Sequence, residues 1–294
     1  MSKQIININL SDMKRANTLK PYLFIAPAVI LALTFSCIPF CKAFIDSFFN
    51  IDATGKIKNF AFLNNYKALF QDKNFANAIK NTLLFAVMFV PLNTVLTVLA
   101  ASLTRRKNRF SYIPEYIFFL PLAFSLSSIT LIFKEMFRGR VSIINRIFDL
   151  NIEWLSEPMA AMVVLVLLGV FLDFGLDYII LLAAFRGIDK SVLEAARLDG
   201  ANGQTLFFKI ELPIIKSMVL VTIFLAVKDA LLIVAPITIL TEGGPFRSTE
   251  TLMFFYYIEA FKSGNANIGN AITVLAVTAS VIIMAIGLKV RDDA

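Results

Sequence analysis

Residues 158–185 read PMAAMVVLVLLGVFLDFGLDYIILLAAF, an apolar run whose only charged side chains are Asp173 and Asp177. A helix needs about 20 apolar residues to cross the hydrocarbon core of a bilayer, because each residue adds about 1.5 Å to its length. The run is long enough for one complete crossing. It therefore predicts a transmembrane helix rather than the core of a soluble domain.

Five further apolar segments have the same character, and clusters of charged residues separate them. The six segments cover about 21–44, 82–104, 112–133, 158–185, 217–240 and 266–288. The composition agrees, because 58% of the 294 residues are hydrophobic and only 17% are charged, whereas a soluble domain is about 25% charged. The sequence predicts an all-α polytopic membrane protein with six transmembrane helices.

The distribution of Lys and Arg predicts the orientation of these helices. Six spans place both termini on one side, and the compact basic cluster at 105–109 favours a cytoplasmic position for that side. The net charge of +7 is then explained by basic cytoplasmic loops that face anionic lipid headgroups, so no nucleic-acid partner is expected. We expect three parts in a multi-pass protein of the cytoplasmic membrane: a cytoplasmic tail (1–20), a six-helix domain (21–288) and a second cytoplasmic tail (289–294).

The amino-acid composition also limits the reactions and metal sites that the protein can support. The chain contains no histidine, which excludes histidine-dependent acid–base catalysis, triads and histidine-ligated metal sites. It also lacks the Gly-x-x-x-x-Gly-Lys-[Ser/Thr] loop that binds nucleotide phosphates. We therefore expect a protein that is not an enzyme and that binds no cofactor or metal directly.

The segment between the fourth and fifth spans, residues 186–216, reads RGIDKSVLEAARLDGANGQTLFFKIELPIIK. It is too long and too patterned for a simple connector. Ser191 and Glu194 have the spacing of a capping box, which predicts a helix that begins at Ser191, and Asp189 just before it is also a good helix cap. Gly200 suits the left-handed residue that ends a helix, and Asn202 is expected to cap a second short helix. The pattern indicates two short helices that lie on lipid headgroups or dock against a cytoplasmic partner.

Two motifs resemble the permease subunits of binding-protein-dependent ABC importers. The first lies in the 186–216 segment and consists of Glu194-Ala195-Ala196, Asp199-Gly200-Ala201 and Ile210-x-Leu212-Pro213. The second is similar to the region after the fifth span in maltose-type and glycerol-3-phosphate-type carbohydrate permeases, and it consists of Leu240-Thr241-x-Gly243-Gly244-Pro245 and Ser248-Thr249-Glu250-Thr251. The resemblance covers about residues 21–288.

The resemblance implies a prokaryotic importer of a sugar or a sugar-like solute. It implies two separate ATP-binding cassette subunits that use ATP and Mg²⁺, a second permease subunit, an extracytoplasmic solute-binding protein and surrounding membrane lipid. The residues that would couple to the ATPase are Ser191, Glu194, Ala195, Ala196, Asp199, Gly200, Ile210, Leu212 and Pro213. Those that would shape a periplasmic-side turn are Thr241, Gly243, Gly244 and Pro245.

Charged residues inside the predicted spans mark a candidate translocation path, because a charge at the bilayer centre is costly and faces a partner or a cavity. They are Asp173, Asp177, Lys228 and Asp229. Either Asp173, Asp177 and Lys228 form an ion pair that holds spans 4 and 5 together, or these residues line the solute route.

A secondary transporter or a channel is the alternative function, with the same carboxylates serving as ion sites. Such a protein would not need the patterned 186–216 segment. A membrane enzyme is a further alternative, for which Asp173 and Asp177 are the one candidate pair of catalytic carboxylates.

Overall fold

The computed structural model of the chain describes residues 22, 24–52, 56–106 and 112–292. The predicted N-terminal tail, the end of the basic cluster at 107–109, and residues 293–294 lie outside the described residues. Four described helices are long and apolar enough to cross a membrane, and two bent helix pairs raise the number of spans to six if each pair is one span. The predicted all-α polytopic architecture is confirmed.

The first half of the chain contains three spans. Its elements are α1 (Phe24–Asp46), β1 (Phe49–Ile51), β2 (Ile57–Phe60), α2 (Asn64–Gln71), α3 (Lys73–Thr104), α4 (Tyr112–Phe119) and α5 (Leu126–Met136). The strands form an antiparallel hairpin between the first two spans, and the Ile51 N–H donates to Asn267 Oδ1 at 2.7 Å. Helices α4 and α5 are the halves of the third span, with a bend of 100° between them.

The second half carries the patterned segment and the last three spans. Its elements are α6 (Ile143–Phe148), α7 (Pro158–Arg186), α8 (Lys190–Leu198), α9 (Gly203–Ile214), α10 (Lys216–Leu232), α11 (Ala235–Leu240), α12 (Leu252–Tyr257) and α13 (Ala266–Asp292). Helices α9 and α10 meet at a bend of 70°.

The fifth span differs from its prediction, because residues 217–240 do not form one helix. Helix α10 ends at Leu232, Ile233 has an extended conformation (ψ 118°), and a separate helix begins at Ala235. Pro236 explains the break, since proline has no N–H and its ring clashes with the carbonyl four residues earlier in a continuous helix. The Thr251 hydroxyl donates to the freed Ile233 carbonyl at 3.1 Å, which satisfies that group inside the bundle.

The centre of the bundle is the contact between α3 and α7. Helix α3 carries Phe85 and Phe89 one turn apart, with their rings stacked at 5.3 Å, and both rings are buried. Gly169 of α7 faces them: a Cβ atom at this position would lie 3.2 Å from both rings. Glycine therefore allows the two helices to approach closely enough to bury both rings.

Helix α3 also defines the two ends of the molecule. Near its start, the Asn81 side chain donates to the Arg247 carbonyl at 2.7 Å, and just after its last residue Arg105 Nε lies 2.8 Å from Glu211 Oε1. The 32 residues between Lys73 and Thr104 span about 48 Å as a helix. We call these ends the Arg247 end and the Glu211 end. The patterned segment and the Gly243-Gly244-Pro245 turn thus lie at opposite ends.

Candidate functional site

The patterned segment begins with a helix whose cap differs from the prediction. Helix α8 begins at Lys190, and Asp189 is its N-cap, with a carboxylate that accepts the Ser191 N–H at 2.9 Å. The predicted capping box at Ser191 is therefore wrong, because the carboxylate two residues earlier already accepts that orphan N–H and Ser191 lies inside the first turn. Hydrogen bonds from the backbone and side chain of Ser191 lower the pKa of Asp189.

The end of α8 and the start of α9 agree with the sequence. Gly200 has φ +86°, a left-handed conformation that strains residues with a side chain, and its N–H donates to the Arg197 carbonyl at 3.1 Å. Asn202 caps α9, because its side-chain oxygen accepts the Thr205 N–H at 2.8 Å. The predicted pair of short helices with a glycine turn is confirmed.

Helix α8 packs against the bundle through Leu193, and its other side is exposed. Glu194 and Ala195 are exposed, Ala196 is buried, and Leu198 is 90% exposed. Val192 is also 43% exposed, so this chain leaves two apolar side chains of α8 uncovered. The small side chain of the exposed Ala195 leaves room for a second backbone beside this helix.

One ion pair ties α9 to the end of α3, and a second joins the ends of neighbouring spans. Glu211, the last residue before Leu212 and Pro213, is 2% exposed and pairs with Arg105 at 2.8 Å. Arg186, at the end of α7, pairs with Glu115 of α4 at 2.5 Å and donates to the Thr104 carbonyl at 3.1 Å. The ends of α3, α4 and α7 are thereby bound to each other, and the first of them is bound to α9. The Glu211–Arg105 pair therefore connects α9 directly to the end of α3.

The charged residues inside the spans do not form the ion pair expected between spans 4 and 5. Lys228 Nζ lies 2.7 Å from Asp229 Oδ1, its own neighbour in α10. Asp177 instead accepts a hydrogen bond from Asn93 Nδ2 at 2.6 Å, which links α3 to α7. The expected pair is wrong because Lys228 is about half exposed on α10, whereas Asp177 is 2% exposed inside the bundle.

Asp173 and Asp229 nevertheless meet at one cavity. This cavity of about 340 Å³ lies beside the break in the fifth span, and we call it the break cavity. Its walls are residues of α3, α5, α7, α10 and the 233–236 segment. Asp177 and Lys228 are not among its lining residues. The structure thus brings two of the four candidate path residues together at an opening where the helix backbone is interrupted.

The Gly243-Gly244-Pro245 turn belongs to a tightly bonded loop, residues 241–251. Gly243 has φ +84°, and a Cβ atom here would lie 2.7 Å from Phe254 Cε1, so only glycine fits. The Thr249 hydroxyl donates to the Gly244 carbonyl at 2.7 Å and lies 2.7 Å from the Thr241 hydroxyl. Phe246 is 90% exposed at the tip of this loop.

Asn81 attaches this loop to α3. Its side-chain nitrogen donates to the carbonyls of Arg247 and Glu250, at 2.7 and 3.1 Å. We expect Asn81→Ala to lower the free energy of unfolding by about 1–3 kcal/mol, because it removes the donor to the buried Glu250 carbonyl and leaves the Arg247 carbonyl with the Asn77 side chain and the Glu250 N–H. The matched control is Asn50→Ala, which removes an exposed side-chain bond to Asn59. Thermal unfolding in detergent measures the difference, and equal losses in the two variants would contradict this role.

Comparison with known proteins identifies relatives among transport system permease proteins. No protein-family model matches the chain. The chain is 30% identical over 260 residues to the lactose transport system permease protein LacF of Rhizobium radiobacter, covering 86% of this chain and 87% of the relative. It is 29% identical over 262 residues to the sn-glycerol-3-phosphate transport system permease protein UgpA of Agrobacterium fabrum, covering 87% and 88%.

A solved structure shares the fold. It is a chain of a bacterial ABC transporter involved in the import of the acidic polysaccharide alginate. The TM-score is 0.83 at 19% sequence identity, and the match covers 97% of this chain and 98% of the other.

Proposed function

The chain belongs to the permease subunits of ABC sugar importers, and we propose that it forms one half of a membrane pathway for a sugar or a sugar-like solute. The observation that carries the proposal is the exposed helix α8, joined through Gly200, α9 and the buried Glu211–Arg105 pair to the spans. ATP and Mg²⁺ are used by separate ATPase subunits, and this chain acts as their mechanical partner.

In this proposal the Glu211 end is cytoplasmic and α8 docks onto one ATPase subunit. The exposed Glu194, Ala195 and Leu198 provide the contact face. When the ATPase pair closes, α8 and α9 move together. The 70° bend into α10 and the Glu211–Arg105 pair then pass the displacement to α10 and α3. Rigid elements with two arrangements are what such a switch needs.

A second permease subunit completes the pathway. Lys228 and Asp229 lie well inside α10 and are 51% and 39% exposed in this chain. Two charges on a lipid-facing surface near the bilayer centre would cost several kcal/mol. We therefore place this face of α10 against the second subunit and the solute route. The extracytoplasmic solute-binding protein docks at the Arg247 end.

ATP-dependent uptake of a radiolabelled sugar into proteoliposomes tests this function, with lactose, glycerol and glycerol-3-phosphate as the first solutes. The complete complex should accumulate a solute only when ATP is present with the ATPase subunits. Uptake by this chain without ATPase subunits would establish a secondary transporter or a channel instead.

Asp173 is expected to contact the solute in the break cavity. Hydrogen bonds from hydroxyl groups to a carboxylate contribute about 1.5–3 kcal/mol each, so Asp173→Asn should lower the uptake rate about 10- to 100-fold. The matched control is Asp149→Asn, because Asp149 is exposed and has a left-handed conformation that asparagine also adopts. Initial rates of ATP-dependent uptake measure the effect, and unchanged rates for Asp173→Asn would remove the residue from the path.

A further inference from the structure

A separate cavity, of about 560 Å³, lies at the Glu211 end between α8 and the ends of α3 and α7, and we call it the basic cavity. Its lining includes two carboxylates, Glu194 and Glu211, and five basic side chains. The basic residues are Arg105, Arg106, Arg186, Lys190 and Arg197. Two further carboxylates of the patterned segment, those of Asp189 and Asp199, are not among the lining residues.

Two of the five basic side chains are already neutralised. Arg105 pairs with Glu211 at 2.8 Å. Arg186 pairs with Glu115 of α4, which does not line the cavity. A ligand in the basic cavity therefore gains little net charge attraction from these two arginines.

The other three cations remain unpaired. Arg106, Lys190 and Arg197 form no ion pair within the described part of the chain. Residues 107–111, which follow Arg106, contain no Asp or Glu that could neutralise it. Glu194 is the one lining carboxylate that remains, and it can balance only one of the three cations. The cavity therefore keeps a net positive charge, which fits an anionic ligand.

The cavity lies on the side of α8 that faces the bundle. Lys190, Leu193 and Arg197 are three and four residues apart, so they share one face of this helix. Leu193 packs against the buried cluster of α3 and α7, which turns this face inward. Ala195 and Leu198 lie on the other side of α8. An ATPase subunit that docks on that side leaves the basic cavity between elements of this chain.

The position and the apolar lining of the cavity fit a lipid. Helices α3 and α7 are long and apolar enough to cross the membrane, and Arg106 and Arg186 lie at their ends. The cavity is therefore at the level of the headgroups. Phe185, Ile188 and Leu193 also line it. Basic pockets between transmembrane helices are known to hold anionic lipid headgroups.

We propose that the basic cavity binds the phosphate of an anionic phospholipid headgroup, with Arg106, Lys190 and Arg197 as its ligands. The bound headgroup holds the inner face of α8 against the ends of α3 and α7, in addition to the Glu211–Arg105 pair. A soluble phosphate ester carries the same anion without acyl chains, and the apolar lining favours the lipid. The site is separate from the solute route and holds whichever solute is transported.

Native mass spectrometry of the complete complex in a nonionic detergent tests the proposal. The probes are dioctanoylphosphatidylglycerol, which is anionic, and dioctanoylphosphatidylcholine, which carries no net charge. We expect the unmodified complex to bind the anionic lipid at least about tenfold more tightly. Combining Arg106→Gln, Lys190→Gln and Arg197→Gln should weaken binding of the anionic lipid about 100-fold, because each basic group beside an anionic headgroup contributes about fivefold.

The matched control removes three other positive charges from the chain. It combines Lys209→Gln, Lys216→Gln and Lys289→Gln, three exposed lysines that do not line the basic cavity. We expect this variant to bind the anionic lipid within about twofold of the unmodified complex. Equal weakening by the two triple variants would attribute the binding to overall charge and overturn the site. Equal affinity of the unmodified complex for the two lipids would overturn it as well.

A competition experiment separates the lipid from a soluble source of phosphate. Glycerol phosphate should displace the anionic lipid only at concentrations at least about 100-fold above the dissociation constant of the lipid, because it cannot use the apolar lining. Displacement at concentrations equal to that constant would overturn the lipid assignment. Binding by the isolated chain that is lost in the complete complex would show that the ATPase covers the cavity, and would also overturn the proposal.

Discussion

Replacing Gly200 by proline is expected to abolish ATP-driven uptake while the protein still inserts into the membrane. Proline fixes φ near −65°, whereas Gly200 has φ +86° and donates its N–H to the Arg197 carbonyl. The turn between α8 and α9 cannot form with proline, so α8 loses its fixed direction. We expect a loss of uptake of at least about 100-fold, since steps that depend on geometry tolerate little displacement.

The matched control for this prediction is Gly203→Ala, three residues away in the same segment. Gly203 lies in α9 with open space around its Cα, so an added methyl group meets no atom within 4 Å. Uptake and solute-stimulated ATP hydrolysis are measured for both variants at equal amounts of assembled complex. Normal uptake by Gly200→Pro would show that the direction of α8 does not matter for coupling.

Glu211→Ala is expected to destabilise the folded chain by about 3–5 kcal/mol, because removing one partner of a buried ion pair leaves the other charge without compensation. Glu211 is 2% exposed and Arg105 is 18% exposed, so Arg105 would lose its carboxylate while most of its own side chain stays out of solvent. The carbonyl of Ser102 still accepts a hydrogen bond from Arg105 but does not neutralise its charge.

The control is Glu135→Ala, which removes the exposed pair with Arg138, whose side chains are 64% and 70% exposed. Exposed pairs contribute about 0–1 kcal/mol, so this variant should unfold close to the temperature of the unmodified chain. Size-exclusion chromatography of heated samples in detergent measures both. A Glu211→Ala protein as stable as Glu135→Ala would mean that α9 is not bound to α3 through this pair.

Features that depend on neighbours in the sequence could be predicted. The apolar runs predicted the spans, Gly200 predicted the turn before α9, and Asn202 predicted the cap of α9. Each of these signals depends only on residues close to it in the sequence. The sequence offered both Asp189 and Ser191 as caps of α8, and the capping box at Ser191 was wrong because only the backbone geometry decides between two side-chain oxygens so close together. The break at Ile233 had a local cause in Pro236, but the hydropathy of 217–240 concealed it.

Features that depend on distant residues could not be predicted. Asn93 and Asp177 are 84 residues apart, and Arg105 and Glu211 are 106 apart. Nothing in either local sequence indicates its partner, so the expected ion pair of Lys228 with Asp173 and Asp177 was wrong. In the folded chain Lys228 pairs with the carboxylate of its neighbour Asp229, and Asp177 accepts a hydrogen bond from the buried amide of Asn93. The break cavity has the same origin, because its walls come from four helices and an interrupted segment.

Site-specific photo-cross-linking shows whether α8 docks onto an ATPase subunit. Leu198 and Phe246 are both 90% exposed, and they lie at opposite ends of the molecule. Benzoylphenylalanine is placed at one or the other position in the complete complex, which is then irradiated, and the partners are identified by mass spectrometry. We expect an adduct with the ATPase from position 198 and none from position 246. An ATPase adduct from position 246, or none from position 198, would contradict the account.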